Sequence, residues 1–337
     1  MSLSTSRAKL ACPGGGVWLR ALAAAAVTAA ALATGGCEGE QHARDASVAP
    51  TLQTGEISIR FDVSPQGAAK PPMISVLAFH AMASGVAPRD VLGVVDPLAA
   101  SAPEHDCELR DLDLSAGALA AQGGSIELQE LTGIGLALGD SRHSSSGGPE
   151  GFDLPPSTIV RPFPRLFPDV ATVVGGVVAE SGPLPLATLP ERVGLLTPAS
   201  ELPIVELAVP VAPRILAVNG APLAGGAKLE TRDGLALVVG VSGGAATIIE
   251  LRPFGATAAI SCAVQAGAGG DSTLVVPAAL LARLLVAVNP SLAANGGNGV
   301  AASLDVLSRA RVQVAPFAVS NHLSIEVRAS MAVELRP

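Results

Sequence analysis

The stretch Leu235–Leu251 reads LALVVGVSGGAATIIEL, and how it is read decides the fold. Within it, GVSGG at 240–244 matches G-x-S-x-G, the turn that carries the nucleophile of α/β hydrolases. Such an elbow leaves a strand and enters a helix. Here the residues after Gly244 are AATIIELRP, with β-branched Thr247, Ile248 and Ile249 and then Pro253. β-branched side chains favour strands, and a proline stops a helix. The stretch therefore predicts strand, a hairpin at Gly243-Gly244, and strand again. Asp271 or Asp305 and then His322 follow in the chain order of a triad. The alternating helices and an HGG-type oxyanion loop do not accompany them. Ser242 is expected in a turn with no base beside it.

The same signature repeats in both directions. Before it, RILAVNG and KLETRDG are strand-length runs, and Asn219-Gly220 is a second hairpin signal. After it come AAISCAVQ, STLVV, SLDVLSRARVQVAPFAV and LSIEVRASMAVELRP. In the last run Leu323, Ile325 and Val327 alternate as a half-buried strand would. One helix is expected, in PAALLARLLVAV, with Pro277 suited to its first turn. Towards the N-terminus, EISIRFDV alternates Ile57, Ile59, Phe61 and Val63, and ISVLAFHAM, ELRDLDL, SIELQEL and GIGLALG continue the pattern. SSSGGPEGFDLPPST and RPFPRLFPD read as a long loop in extended form, and DVATVVGGVVAES as a strand pair bending at Gly175 and Gly176. Between Gly182 and Pro213 lie seven prolines, which rule out a long helix.

These readings give a mostly β protein of two sandwich-like, Ig-like domains. The expected organisation is a leader over 1–36, a tether over 37–55, a first β domain over 56–182, a Pro-rich linker over 183–213, and a second β-sandwich domain over 214–337.

The leader is a basic start (Arg7, Lys9, Arg20) followed by ALAAAAVTAAALATGG, which is too short to span a bilayer as a helix. That is the pattern of a secretion signal. Its end, Thr34-Gly35-Gly36-Cys37, resembles a bacterial lipobox, with Thr34 where such motifs most often carry Leu. The resemblance implies lipidation at Cys37 and a membrane anchor. Glu38, in place of the Asp that retains lipoproteins at the inner membrane, implies the outer membrane. The alternative is an ordinary signal cut near Ala33, leaving Cys37 as a thiol.

Composition narrows the classes of function. The formal charge is −8, and the leader carries three basic residues and no acid, so the exported chain is more acidic still. An acidic surface without Lys/Arg clusters opposes nucleic acid. There is no Tyr, the single Trp18 lies in the leader, and seven Phe are the only other aromatics. Base-stacking platforms are therefore missing, and a sugar site is disfavoured. Cys107 and Cys262 remain beyond the lipid site. In an oxidising compartment they either pair or sit as separate buried small hydrophobes.

The densest charged stretch, PEHDCELRDLD at 103–113, offers Glu104, His105, Asp106, Glu108, Asp111 and Asp113 as oxygen or nitrogen donors. Its spacing is not that of an EF-hand, and Arg110 lies among the acids, so a solvated loop running into a strand is expected. His42, His80, His105, His143 and His322 show no paired spacing, so neither a metal nor another cofactor is assigned. His80 is expected as a hydrogen-bonded core or edge residue.

Asp233 and Leu235 opening a strand, Cys262 on a later one, and then GGDSTLVVPAALLARL resemble exported lipoproteins of high-GC, myxobacterial-type bacteria over Lys228–Leu285. That group often carries Trp where this chain has Val238-Val239. The resemblance implies a β-sandwich and export, and no activity. The expected role is a non-enzymatic envelope lipoprotein, structural or binding a protein partner. The alternative is an envelope enzyme or a calcium- or ligand-binding module using 104–113, with His143 converging on it. Fluorophosphonate probes are expected to leave the protein unlabelled. Labelling that disappears in Ser242→Ala would overturn the reading of GVSGG.

Overall fold

The computed structural model describes residues 52–64, 70–96, 106–111, 123–129, 133–139, 158–167, 173–196, 205–222, 226–240, 245–264, 270–288, 299–314 and 321–337, together with 103, 119, 121 and 131. The leader, Cys37 and Ser242 lie outside them, as do Glu104, His105, Asp113, His42 and His143. The chain begins with β1 (Leu52–Val63), β2 (Met73–Ser84), α1 (Pro88–Val95), β3 (Cys107–Asp111), β4 (Ser125–Gln129) and β5 (Gly135–Gly139). There follow β6 (Thr158–Val160), β7 (Phe163–Leu166), β8 (Val174–Pro185), β9 (Arg192–Leu196), β10 (Val205–Ala208), β11 (Arg214–Val218) and β12 (Ala221–Pro222). The remaining elements are β13 (Ala227–Glu230), β14 (Leu235–Gly240), β15 (Ala246–Pro253), β16 (Ala258–Val264), β17 (Asp271–Val276), α2 (Ala278–Val288), β18 (Val300–Gln313) and β19 (Asn321–Arg336). The fold is mostly β, with two helices among the described residues.

The strands make one sheet of eleven and two of four. The large sheet runs β3-β16-β15-β18-β19-β1-β2-β4-β8-β7, with β13 also paired to β19. The small sheets are β10-β9-β5-β6 and β12-β11-β14-β17. Residues 50–337 form one compact unit. The segments 56–182 and 214–337, expected as two domains, both contribute strands to this one large sheet. Their joint is the parallel pairing of β1 with β19, from Gly55 opposite Asn321 to Val63 opposite Ala329. Further along β19, β13 takes up the same edge, with Ala227 opposite Val333.

Strand alternation sends Ile57, Ile59 and Phe61 of β1 and Leu323, Ile325 and Val327 of β19 to one face of the large sheet. There they form a core with Leu136, Leu138 and Leu195 of the first small sheet. On the same face Ile249, Leu251, Leu304 and Val306 form the other core with Leu235 and Leu237 of the second small sheet and Leu281 and Leu284 of α2. Backbone amides of Leu280 and Leu281 donate to the Pro277 carbonyl, so this proline opens α2 as expected.

Several local expectations are corrected by these pairings. β14 and β15 lie in different sheets, so residues 241–244 connect two sheets and are not a β14–β15 hairpin. The twisted layers of a sandwich allow such a switch wherever a strand can leave its neighbour. Asn219-Gly220 does turn β11 into β12, with φ of 50° and 77°, as a type I′ hairpin requires. The tether ends earlier than expected, because Leu52–Gly55 already belong to β1. Residues 183–213 contain the end of β8 and all of β9 and β10, which roof the first core. The Pro-rich run at 163–166 is the edge strand β7, a place where a missing amide donor is tolerated. The helix α1, absent from the sequence reading, carries a start signal in Pro88 and an acidic first turn in Asp90. It is eight residues long, contains Gly93 and three valines, and is held by Val91 and Val95 packing near Phe79.

β8 is a single strand and not a pair, and it changes partner at Gly176. Its first residues run parallel to β4, and its later ones run antiparallel to β2. At Gly176 φ is +128°, and a Cβ would lie 1.9 Å from the Leu128 carbonyl oxygen. At Gly175 a Cβ would meet nothing within 4 Å. Gly176→Ala is therefore expected to lose at least about 1–3 kcal/mol in urea denaturation. Gly175→Ala should stay within about 0.5 kcal/mol of the parent.

Candidate functional site

The opposite face of the large sheet is charged and yet buried. Alternation places Glu56, Ser58, Arg60 and Asp62 of β1 there, beside His322, Ser324, Glu326 and Arg328 of β19. Asp305, Arg309 and Arg311 come from β18, and Glu250 and Arg252 from β15. A half-buried strand was expected at 323–327, but this part of β19 is buried on both faces. Glu250 is 0% exposed, Glu326 2% and Asp305 4%.

Buried charges persist only when paired and hydrogen-bonded, and here they are paired both along and across strands. Glu326 lies 3.3 Å from Arg309 and 3.4 Å from Arg328. Arg311 reaches Glu56 at 2.8 Å, and Arg252 reaches Glu250 at 2.9 Å. Arg110 of β3 approaches the same Glu250 at 3.9 Å. Glu250 and Asp305 stand directly opposite each other, a costly arrangement for like charges. The Ser303 hydroxyl bonded to Asp305 and the two arginines at Glu250 compensate it.

Burial and neighbours move these groups in different directions. Burial opposes the charge of Glu326, but Arg309, Arg328 and Arg60 outweigh it and hold its carboxyl below the usual range. Burial likewise opposes the charge of Arg328, and Glu326, Asp305, Glu250 and Asp62 together raise its pKa nonetheless. For Arg110, burial wins over the attraction of Glu250 and Glu108, and its pKa is lowered. For Asp62 burial also wins, over Arg328 and Arg60, so its carboxyl is raised.

Towards β2 this face becomes apolar, where α1 covers Phe79, Ile126 and Leu128. Where α1 ends, Asp96 at its C-cap binds Arg60 at 2.9 Å. Between α1, β1, β2 and β8 lies a cleft of about 390 Å³. Its floor holds Ser58, Arg60 and Asp62, with Arg328 beside them. Arg165 and Glu180, joined at 2.6 Å, form its rim.

The residues singled out from sequence are placed as follows. Cys107 and Cys262 are opposite each other on β3 and β16 and form a disulfide. Glu108 and Asp111 differ by three positions on a strand, so they face opposite sides of the sheet. Among the described residues no three His, Cys, Asp or Glu converge as metal ligands. His80 is hydrogen-bonded through Nδ1 to Gln129 at 3.1 Å. Asp305 is opposite Ser330, eight positions along β19 from His322 and so about 26 Å away, and Asp271 is in a different sheet. Neither acid meets His322 as a triad would require. The chain gives no match to any protein-family model, curated protein or solved structure compared with it.

Glu326→Gln leaves Arg309 and Arg328 facing a neutral group and is expected to cost about 3–5 kcal/mol near neutral pH. Because the folded carboxyl lies below its unfolded value, this stabilisation is present above the ordinary glutamate range and lost as pH falls through the folded pKa. The gap between variant and parent should therefore close in acid. Asp62→Asn should behave in the opposite sense. The raised folded pKa makes the charged form unfavourable, so the variant gains on the parent as pH rises. Urea midpoints across pH 3–8 test both signs, and parallel curves would refute them.

Proposed function

We propose that this chain is a non-enzymatic lipoprotein of the cell envelope, exported, anchored through Cys37, and serving as a structural or partner-binding module at the outer membrane. The observation that carries the proposal is the disulfide joining Cys107 on β3 to Cys262 on β16, a bond that persists in oxidising compartments. It ties the edge strand of the large sheet, beyond a long connection from α1, to the body of the fold. The engagement of the charged residues with one another further supports a scaffold, since Glu326 and Glu250 are each held by two arginines. The Ig-like character of each half belongs to the same proposal and is supported by the two separate cores. So does kinship over Lys228–Leu285, where the glycine turn, strand and Pro-Ala helix start fall on Gly270, β17 and Pro277-Ala278.

Among the described residues no helix is long and apolar enough to cross a membrane, and the proposal assigns the attachment to the lipid. Intact mass of detergent-extracted protein should begin at a diacylated Cys37, and Cys37→Ala should move the chain from the membrane to the soluble fraction. A soluble parent protein starting at Ala33 or Thr34 would overturn the anchor.

A further inference from the structure

We propose that the cleft between α1 and β8 binds a small zwitterion of amino-acid size, its carboxylate on Arg60 and its ammonium on Asp62. This goes beyond the anchored-module reading and does not depend on it, since binding needs neither lipid nor membrane. The cleft, about 390 Å³, falls in the range of small-molecule sites. Its floor is rigid, because Arg60 and Asp62 stand on β1, paired on both sides by β2 and β19.

Arg60 supplies the first half of the site. Its side chain is only 9% exposed, and Nη2 is held by Asp96 at 2.9 Å. Its Nε is buried with no hydrogen-bond partner among the described residues. A buried donor left without an acceptor costs about 1–3 kcal/mol, which an arriving carboxylate would recover with a charge-assisted bond. Ser58 lies two residues before it on the same face and lines the same cleft.

Asp62 supplies the second half. It lies two positions after Arg60 and points to the same face, about 7 Å along the strand. An amino acid carries an ammonium and a carboxylate on one carbon, so each can form a charge-assisted hydrogen bond with the residue of opposite sign. Burial already holds the Asp62 carboxyl above its usual range, so an ammonium beside it would restore the charged form. A simple anion would meet Asp62 and Glu180 with like charge, and a simple cation would meet Arg60 and Arg328. Only a ligand carrying both signs matches both. Leu77, Val95 and Pro183 give the cleft an aliphatic wall for a short side chain, and among the described residues no aromatic ring lines it.

The test is calorimetric titration of the full chain with L-alanine and L-valine, and with propionate and propylamine as the single-charge halves. The amino acids should bind saturably and raise the thermal midpoint, and each half should bind at least about tenfold more weakly. Asp62→Asn should reduce amino-acid affinity by about tenfold while remaining folded, because that charge does not stabilise the fold. Ser75→Leu, which fills the cleft from β2, should abolish binding with the disulfide and the β spectrum intact. Three outcomes would overturn the proposal: no saturable binding of either amino acid, propionate binding as tightly as alanine, or affinity unchanged in both folded variants.

Discussion

The parallel pairing of β1 with β19 is the constraint on which the rest of the structure depends. It joins two segments from opposite ends of the chain, with nine residue pairs in register. Parallel neighbours cannot be made by a hairpin, so a long crossover must be closed before this pairing forms. Once formed, it joins strands from both halves of the chain into a single sheet. It also sets the phase of alternation in both strands at once. Ile57, Ile59 and Phe61 fall on the side of Leu323, Ile325 and Val327, while Arg60 and Asp62 fall on the side of Glu326 and Arg328. A slip of one residue would put carboxylates into both cores.

That phase leaves a sheet with two buried faces of different chemistry. One is aliphatic and roofed by the small sheets. The other is a lattice in which arginine does nearly all the positive work, since the chain has only three lysines, Lys9, Lys70 and Lys228. The planar guanidinium can serve two carboxylates and loses less on burial than an ammonium. Replacing such a lattice by aliphatic side chains would often be neutral or stabilising. What it supplies is register: Arg309 opposite Glu326 and Arg311 near Glu56 match only in the observed alignment.

The cleft follows from the same geometry. It opens where the lattice meets the apolar patch under α1, so charged floor and aliphatic wall adjoin within a few residues. Arg60 is shared between the helix end and the cleft, because Nη2 is bonded to Asp96 and Nε has no partner among the described residues. The α1 C-terminus, which carries partial negative charge, brings a further anion in Asp96, and Arg60 neutralises both. The same residue that fixes the helix is thereby aimed into the cleft.

Period-two alternation alone determined the β class and most strand positions, because the same side-chain period creates both the sequence pattern and the pleat. It was enough for EISIRFDV and LSIEVRAS, while β-branched residues marked the strand after GVSGG and Pro277 marked the start of α2. Strand partners were not legible. That β14 leaves β15 for another sheet, and that β1 lies beside β19, is decided by long-range contacts which no local window contains. The candidate site was half visible. Glu56, Arg60, Glu326 and Arg328 stand in sequence as the polar half of an alternation, which reads the same whether it faces water or protein. Only tertiary structure decided that they are buried together, because burial of a charge depends on whether partners from other strands arrive to balance it.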